Sequence, residues 1–289
     1  MGQDIFITKA SGEKSKYSEE KIRTSLKRVG ANEEQIDTII DQVAAQLYEG
    51  IPTKKIYKLA FNLLKEGSRH LAARYHLKQA IMELGPSGYP FEKYFSEILK
   101  KQGFETQVGM IVQGNCVTHE IDVIAKKENK VFVVECKYHN LRGIFCDVKI
   151  PLYINSRFLD VEKEWLKTLE NKSTVHQGWL VTNTRFSSDA IQYGVCAGLK
   201  LLGWDYPVNE SLKDQIDALG LYPITCLTSL TKTEKQRLLD MKIVMCSEIS
   251  NNEKLLLNNG VRPSRVHLVM KEAQKLCKEN IESEGKISK

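Results

Sequence analysis

The chain has 289 residues, of which 42% are hydrophobic and 27% charged, and it carries a net charge of +6. This composition is typical of a globular protein of two or three domains, and the mild basicity permits a polyanionic partner without requiring one. No apolar run reaches the roughly 18 residues that span a bilayer, and the seven cysteines form no CxxC pair. We therefore expect a cytoplasmic protein without a membrane partner, a zinc ribbon or a disulfide framework.

Residues 1–87 are expected to form one domain, a small β-hairpin followed by four helices. The hairpin is predicted to turn at Ser11-Gly12, and Ser18 can then cap the first helix. Apolar residues at helical spacing indicate the four helices, the last of which begins near Ser68. The segment "GPSGYP", Gly85–Pro90, contains two glycines and two prolines and therefore marks the end of this domain.

Residues 88–208 show the alternation of helix and strand that is typical of an α/β fold. A helix begins near Pro90, and strand-like runs follow at about 105–113, 118–125 and 130–138. A long helix is expected over roughly 147–170, then the strand "GWLVTN", a helix opened by Ser187, and the strand "LKLLGW". The pattern predicts a mixed sheet flanked by helices.

Residues 209–289 are predicted to be mostly helical, with short helices joined by tight turns. This rhythm resembles helix-hairpin-helix modules, which hold DNA phosphates with the backbone amides of a turn. The other interpretation is a small helical bundle that packs on the preceding domain or dimerises. The fold class predicted for the whole chain is therefore multidomain, α+β and α/β.

A charged group interrupts the apolar strand "KVFVVECK". In a strand over 130–138, Glu135 and Lys137 point to the same face. If the preceding hairpin turns at Glu128-Asn129, Asp122 lies opposite Glu135 on that face. Two carboxylates about 5 Å apart beside an amine can hold Mg²⁺ and serve phosphodiester hydrolysis. The alternative is a set of solvated side chains on an exposed strand.

The spacing of these residues resembles the motif of a known family. Asp122, followed about a dozen residues later by Glu135-Cys136-Lys137, resembles the D…(D/E)xK motif of the PD-(D/E)XK nucleases. "GYPFEKYFSEILKKQGF" resembles the opening helix of the Mrr group of restriction endonucleases, whose early glutamate matches Glu92. "GWLVTNTRFSSDAIQYG" resembles a later strand and helix of that group. The resemblance covers roughly residues 88–207, although many members carry Gln where this chain has Glu135.

The resemblance implies a PD-(D/E)XK nuclease fold and hydrolysis of DNA with Mg²⁺ or Mn²⁺. It implies that Asp122 and Glu135 are metal ligands, and that both act with Lys137 and Glu92 in catalysis. For Glu92 the alternative is a purely local role, because an acid in the first turn stabilises the helix dipole.

The N-terminal segment "ITKASGEKSKYSEEKI" resembles the ATP-cone, the nucleotide-binding regulatory module of ribonucleotide reductases and related regulators. The matching residues are Ile7, Lys9, Gly12, Tyr17, Ser18, Lys21 and Ile22. "GIPTKKI" resembles the segment before that module's third helix and contains Thr53. The resemblance covers about residues 3–83 and implies that ATP or dATP is an effector, bound by Lys9, Lys21, Ile22 and Thr53.

Two positions depart from the ATP-cone pattern, because Ala10 and Ser11 replace the usual Arg-Asp. The loss of the arginine removes a bidentate phosphate contact. The alternative is therefore a helical module kept for oligomerisation or DNA contact. No GxxxxGK[ST] sequence is present, so we expect no P-loop ATPase.

These patterns predict a cytoplasmic, metal-dependent DNA endonuclease regulated by an adenine nucleotide. The competing prediction is a DNA-binding or nucleotide-sensing protein whose nuclease fold no longer cuts. A Holliday junction or an RNA substrate would use the same chemistry. A homodimer or higher oligomer is expected for double-strand cutting, because one site cuts one strand.

Overall fold

The structure, a computed structural model, describes residues 5–9, 11–141, 143–168 and 174–278. They divide into two compact units. The first comprises the described residues up to Ala80, together with Tyr222–Lys235 and the described part of Cys246–Glu279. The second comprises the described part of Ile81–Leu221 together with Gln236–Met245. Among the helices described, none is both long enough and apolar enough to cross a bilayer.

The N-terminal part of the first unit begins with the predicted hairpin. The strands are β1 (Phe6–Thr8), β2 (Lys14–Lys16) and β3 (Ile51–Pro52). The β1–β2 pair is antiparallel, and the N–H of Gly12 donates to the carbonyl of Lys9 in the turn. The β3 strand pairs parallel to β1. Sequence did not predict β3, because two residues ending in proline show no alternation to detect.

Five helices follow the hairpin in the chain, two of them before β3 and three after it. They are α1 (Glu19–Arg28), α2 (Glu33–Ala44), α3 (Thr53–Gly67), α4 (Arg69–Tyr75) and α5 (Leu77–Met82). The predicted single fourth helix is wrong, because the chain breaks at His76 and forms α4 and α5. Ser18 occupies the predicted N-cap position of α1, although its side chain makes no capping hydrogen bond. Asn32 and Gln35 instead form a reciprocal capping box on α2.

The second unit is built around a five-stranded mixed sheet, as predicted. Its elements are α6 (Tyr89–Lys101), β4 (Glu105–Gln113), β5 (Thr118–Lys127), β6 (Lys130–Lys137), β7 (Phe145–Cys146), α7 (Lys149–Thr168), β8 (Thr174–Thr182), β9 (Arg185–Phe186), α8 (Ser188–Cys196), β10 (Lys200–Leu202) and α9 (Leu212–Leu219). The order in the sheet is β10-β8-β6-β5-β4. The β4, β5 and β6 strands are antiparallel, and β6, β8 and β10 are parallel.

The predicted elements of this unit lie close to those observed. Ser187 caps α8 by accepting from the N–H of Ala190 at 3.1 Å, as the sequence indicated. Residues 169 and 170 of the predicted long helix lie outside the described residues. The short parallel pair of β7 and β9 was not predicted.

Each face of the sheet has its own apolar layer. On one face Val131 and Val133 pack against Phe158 of α7 and neighbouring apolar residues. Gly178 of β8 lets α7 approach closely, because a Cβ at this position would overlap the ring of Phe158. On the other face the ring of Phe132 lies 5.4 Å from that of Trp179, centroid to centroid. Alternate side chains of β6 therefore contribute to two apolar layers, one on each face of the sheet.

The C-terminal helices are confirmed. They are a 3₁₀ turn (Ile224–Cys226), α10 (Lys232–Asp240), α11 (Cys246–Ile249), α12 (Glu253–Asn258) and α13 (Pro263–Lys278). Glu272 of α13 is 3% exposed. Its carboxylate accepts from the N–H and hydroxyl of Thr228, at 2.9 and 2.7 Å, and from the N–H of Ser229, at 2.9 Å. This carboxylate ties α13 to the loop before α10.

Candidate functional site

The charged group predicted on β5 and β6 depends on the register of their hairpin. Lys127 pairs with Lys130 and Val123 with Val134, so the turn is formed by residues 128 and 129. This register is the one predicted from the sequence. Continued by one pair, it sets Asp122 opposite Glu135 on the same face.

The backbone of the neighbouring strand β4 is irregular beside this pair. Val108 pairs with Val123 and Met110 with Ile121, which leaves Gly109 level with Asp122. Gly109 has φ +66°, a backbone conformation that residues other than glycine rarely adopt. The irregularity in β4 thus lies next to the candidate site.

Asp122 is held by the backbone of the next strand. Its Oδ2 accepts the N–H of Cys136 at 2.7 Å. Burial is the main cause that raises the pKa of Asp122, and this hydrogen bond opposes it. The contact fixes the orientation of the carboxylate between β5 and β6.

Glu135 is paired with an arginine that the sequence analysis missed. Nη1 of Arg157 lies 2.7 Å from Oε2 of Glu135, and the two side chains are only 13% and 17% exposed. The other guanidinium nitrogen donates to the carbonyl of Glu120. A signal existed in the sequence, because Arg157 stands three residues after Ile154 of α7 and so on the helix face that packs on the sheet.

The pKa of Glu135 is raised to about 7, mainly by burial and also by the charge of Asp122, while Arg157 and Lys137 oppose the shift. A carboxylate with an arginine at 2.7 Å would ordinarily titrate low. Desolvation and a neighbouring carboxylate therefore outweigh the ion pair.

Glu92, in the first turn of α6, belongs to the same electrostatic group. Burial raises its pKa to about 7, and the charges of Asp122, Glu120 and Glu135 act in the same direction. A helix N-terminus alone would lower the pKa of an acid in its first turn. Burial and the neighbouring carboxylates together outweigh the helix end, and the interactions with Asp122 and Glu135 connect Glu92 to the site.

Lys137 is the last residue of β6, and buried polar groups hold the backbone around it. The hydroxyl of Thr182 donates to the carbonyl of Lys137 at 2.7 Å. Asn183 accepts the N–H of His139 at 2.8 Å and donates to its carbonyl at 2.7 Å. Thr182 and Asn183 are fully buried. They fix the point at which Lys137 leaves the strand, and the sequence analysis did not identify them as positioning residues.

The donor set fits a hard divalent cation that brings further ligands with it. Among the residues that the structure describes, no three His, Cys, Asp or Glu side chains form a group able to hold a metal ion. Mg²⁺, however, is commonly bound by one or two carboxylates together with water and phosphate oxygens. Asp122 and Glu135 supply two such carboxylates on one face, and burial raises the pKa of both.

The residues predicted to bind nucleotide lie in the first unit. Parallel pairing of Thr8 with Pro52 brings the next residues, Lys9 and Thr53, to the same end of the small sheet. Lys9 forms an exposed ion pair with Glu13 at 3.1 Å. Two further residues lie on α1: Lys21 is exposed, and Ile22 packs against the core. Ala10 lies outside the described residues.

The opposite environments of two glutamates on α6 predict opposite effects on stability. In EDTA, Glu92→Gln is expected to be more stable than wild type at about pH 8 and similar at about pH 4. The folded pKa of Glu92 is raised from 4.5 to about 7, so ionising it above that value costs stability. Melting temperatures across this pH range give the measurement.

Glu97→Gln is the matched control on the same helix. Hydrogen bonds from Lys93 and Lys100 lower the pKa of Glu97, so its charge contributes stability that is lost as the pH falls. Glu97→Gln should therefore be less stable than wild type at about pH 8. Equal effects of the two variants at that pH would contradict the assignment of Glu92 to an acidic site.

Two family models match segments of this chain, one before the mixed sheet and one after it. The family model for the ATP cone domain matches residues 5–80, and the model described as AF1548-like, C-terminal, matches residues 222–277. The predicted ATP-cone domain is thereby confirmed. Neither match covers the mixed sheet, so its resemblance to Mrr-type nucleases stays a prediction.

The chain also matches a curated protein and a solved structure, each over nearly its full length. An uncharacterized protein of Archaeoglobus fulgidus is 37% identical over 182 residues, which is 63% of this chain and 98% of that protein. A crystal structure of AF1548, described as a protein of unknown function, is 36% identical with a TM-score of 0.55. The match covers 66% of this chain and 98% of the solved one.

Proposed function

The chain belongs to the AF1548-like family of its Archaeoglobus fulgidus relative, and we propose that its mixed sheet carries a metal-dependent DNA endonuclease regulated by adenine nucleotide at the ATP-cone domain. The observation that supports the proposal is the β5–β6 register, which ends with Val123 opposite Val134, so that the next residues are Asp122 and Glu135. Asp122 also accepts a hydrogen bond from the N–H of Cys136, between Glu135 and Lys137. Glu92 joins them through its charge interactions.

Asp122 and Glu135 would hold the cation through carboxylate oxygens that Cys136 and Arg157 do not use. Mg²⁺ or Mn²⁺ bound there would neutralise charge on the scissile phosphate and lower the pKa of a bound water. In hydrolysis the water oxygen forms a bond to phosphorus, and the bond from phosphorus to the leaving oxygen breaks.

The other residues act on charge and on protons. Lys137 would stabilise the negative charge that develops on the phosphate oxygens in the transition state. Arg157 orients Glu135 and offsets part of the negative charge of the acids. Glu92, with a pKa of about 7, can hold or release a proton near neutral pH.

A second candidate is a DNA-binding or nucleotide-sensing protein that does not cut. The ion pair of Arg157 with Glu135 favours it, because a site kept as a salt bridge needs no metal. In that case nucleotide at the ATP-cone domain would shift the protein between states of different DNA affinity.

The deciding experiment is cleavage of supercoiled plasmid with Mg²⁺ or Mn²⁺, with and without ATP or dATP. Wild type is expected to nick or linearise the plasmid, and Asp122→Asn to be slower on the order of 10³-fold. Asp205→Asn is the matched control, since Asp205 is an acid of the same unit that pairs with Arg185. The absence of cutting on methylated and unmethylated DNA in every condition would support the second candidate.

The nucleotide arm uses Lys21→Ala, with the exposed Lys58 of α3 changed to Ala as its control. Lys21→Ala should remove the effect of ATP on cleavage and leave the rate without nucleotide unchanged. An unaltered nucleotide effect would place the effector elsewhere, without bearing on the site of cleavage.

A further inference from the structure

A basic groove lies between α4 and α13, both within the first unit. Its volume is about 240 Å³. The side chains that define it are Arg69, His70, Leu268, Lys271, Glu272 and Lys275. The groove thus joins the segment that matches the ATP cone with the segment that matches the AF1548-like C-terminal family.

Three exposed cations line this groove. Arg69, Lys271 and Lys275 are exposed, and none of them has an ion-pair partner among the residues described. Lys271 and Lys275 are four apart on α13, a spacing at which like charges repel and slightly destabilise the helix. An anion in the groove would offset this repulsion.

The acid that lines the groove does not neutralise it. Glu272 is 3% exposed, and both of its carboxylate oxygens accept hydrogen bonds from Thr228 and Ser229. Its charge is thus committed to the loop before α10. The accessible surface of the groove is left with an excess of cations.

The form of the groove favours an extended polyanion over a free nucleotide. Sites for small ligands are usually concave, mostly apolar and about 300–1,000 Å³ in volume. This groove is smaller, and three of its eight lining residues are the exposed cations Arg69, Lys271 and Lys275. Lysines one helical turn apart, on long flexible stems, can contact neighbouring phosphates of one strand.

We propose that the groove between α4 and α13 binds the phosphate backbone of DNA. Binding there is independent of base sequence, because phosphate contacts set position and carry no direct sequence information. The site requires no metal and includes none of the carboxylates of the mixed sheet. It gives the first unit a DNA-binding role in addition to the nucleotide binding proposed for its ATP-cone domain.

The test measures binding by the full chain to a fluorescein-labelled duplex of random sequence, in EDTA and at several salt concentrations. The variant Arg69→Ala/Lys271→Ala/Lys275→Ala is expected to bind on the order of 100-fold more weakly at physiological salt. The slope of log K against log salt should become shallower by about 2 to 3.

The control removes three exposed lysines of the same unit, as Lys14→Ala/Lys58→Ala/Lys254→Ala. It changes the net charge equally and should keep the wild-type slope. A charge-conserving variant, Arg69→Lys/Lys271→Arg/Lys275→Arg, should keep the affinity and so separate charge from folding. Equal weakening by the two alanine triples, or wild-type binding by the groove triple, would overturn the proposal.

The same variants distinguish this proposal from the endonuclease. If wild type cuts plasmid and the groove triple binds DNA normally, the groove proposal fails and the nuclease stands. If wild type does not cut and the groove triple loses DNA, the nuclease fails and the groove stands. Loss of affinity for free ATP with DNA binding retained would identify a nucleotide site and overturn the DNA assignment.

Discussion

Lys137→Met should lower the rate of metal-dependent DNA cleavage by about 10²- to 10³-fold, the usual loss when one group that stabilises transition-state charge is removed. Methionine keeps a flexible apolar stem and removes only the ammonium. The backbone of Lys137 should stay in place, because Thr182 and Asn183 hold the end of β6 through backbone contacts. Affinity for DNA should therefore change little.

Single-turnover cleavage of plasmid, with DNA binding followed separately in EDTA, gives this measurement. The control is Lys130→Met, which removes an exposed lysine from the other end of β6. It should cut at the wild-type rate. If the two variants lose activity equally, or if the loss in Lys137→Met is explained by weaker DNA binding, Lys137 has no part in the chemistry.

Glu272→Ala should lower the free energy of unfolding by about 3 kcal/mol or more, because it removes the acceptor of three hydrogen bonds in a buried setting. The donors left behind are the N–H and hydroxyl of Thr228 and the N–H of Ser229. A buried donor without a partner costs about 1–3 kcal/mol. Urea unfolding followed by circular dichroism gives the measurement.

Glu272→Gln separates the loss of acceptors from the loss of packing. The amide keeps the volume of the side chain, but one of its two ends donates instead of accepting, so an intermediate loss is expected. Glu253→Ala, at an exposed residue in the first turn of α12, should change stability by less than about 0.5 kcal/mol. A Glu272→Ala midpoint equal to that of Glu253→Ala would show that the loop does not depend on this carboxylate.

The register of the site was predictable because two local features fix it. The turn at residues 128 and 129 leaves one way to pair β5 with β6, and the apolar alternation of β6 sets which side chains share a face. Asp122, Glu135 and Lys137 follow from that register. These contacts are local in sequence, and local patterns suffice for them.

The partners of these residues were not predictable in the same way. Arg157 lies 22 residues from Glu135, and Asn183 lies 44 from His139. Each contact depends on the packing of a helix or strand onto the sheet, for which no periodicity gives the depth or the rotation. The grouping of the C-terminal helices with the ATP-cone domain is non-local for the same reason.

The discontinuous first unit has a consequence for the order of folding. Its ATP-cone segment is made before the mixed sheet, but its partners on α13 are made after it, and contacts such as that of Thr225 with Ala80 close a long loop. Closing such a loop costs entropy that local helix formation does not offset at once. The mixed sheet, made from one nearly continuous stretch, can therefore be complete while the ATP-cone segment still lacks its partners. During synthesis, the ATP-cone segment is made before the mixed sheet but is completed after it.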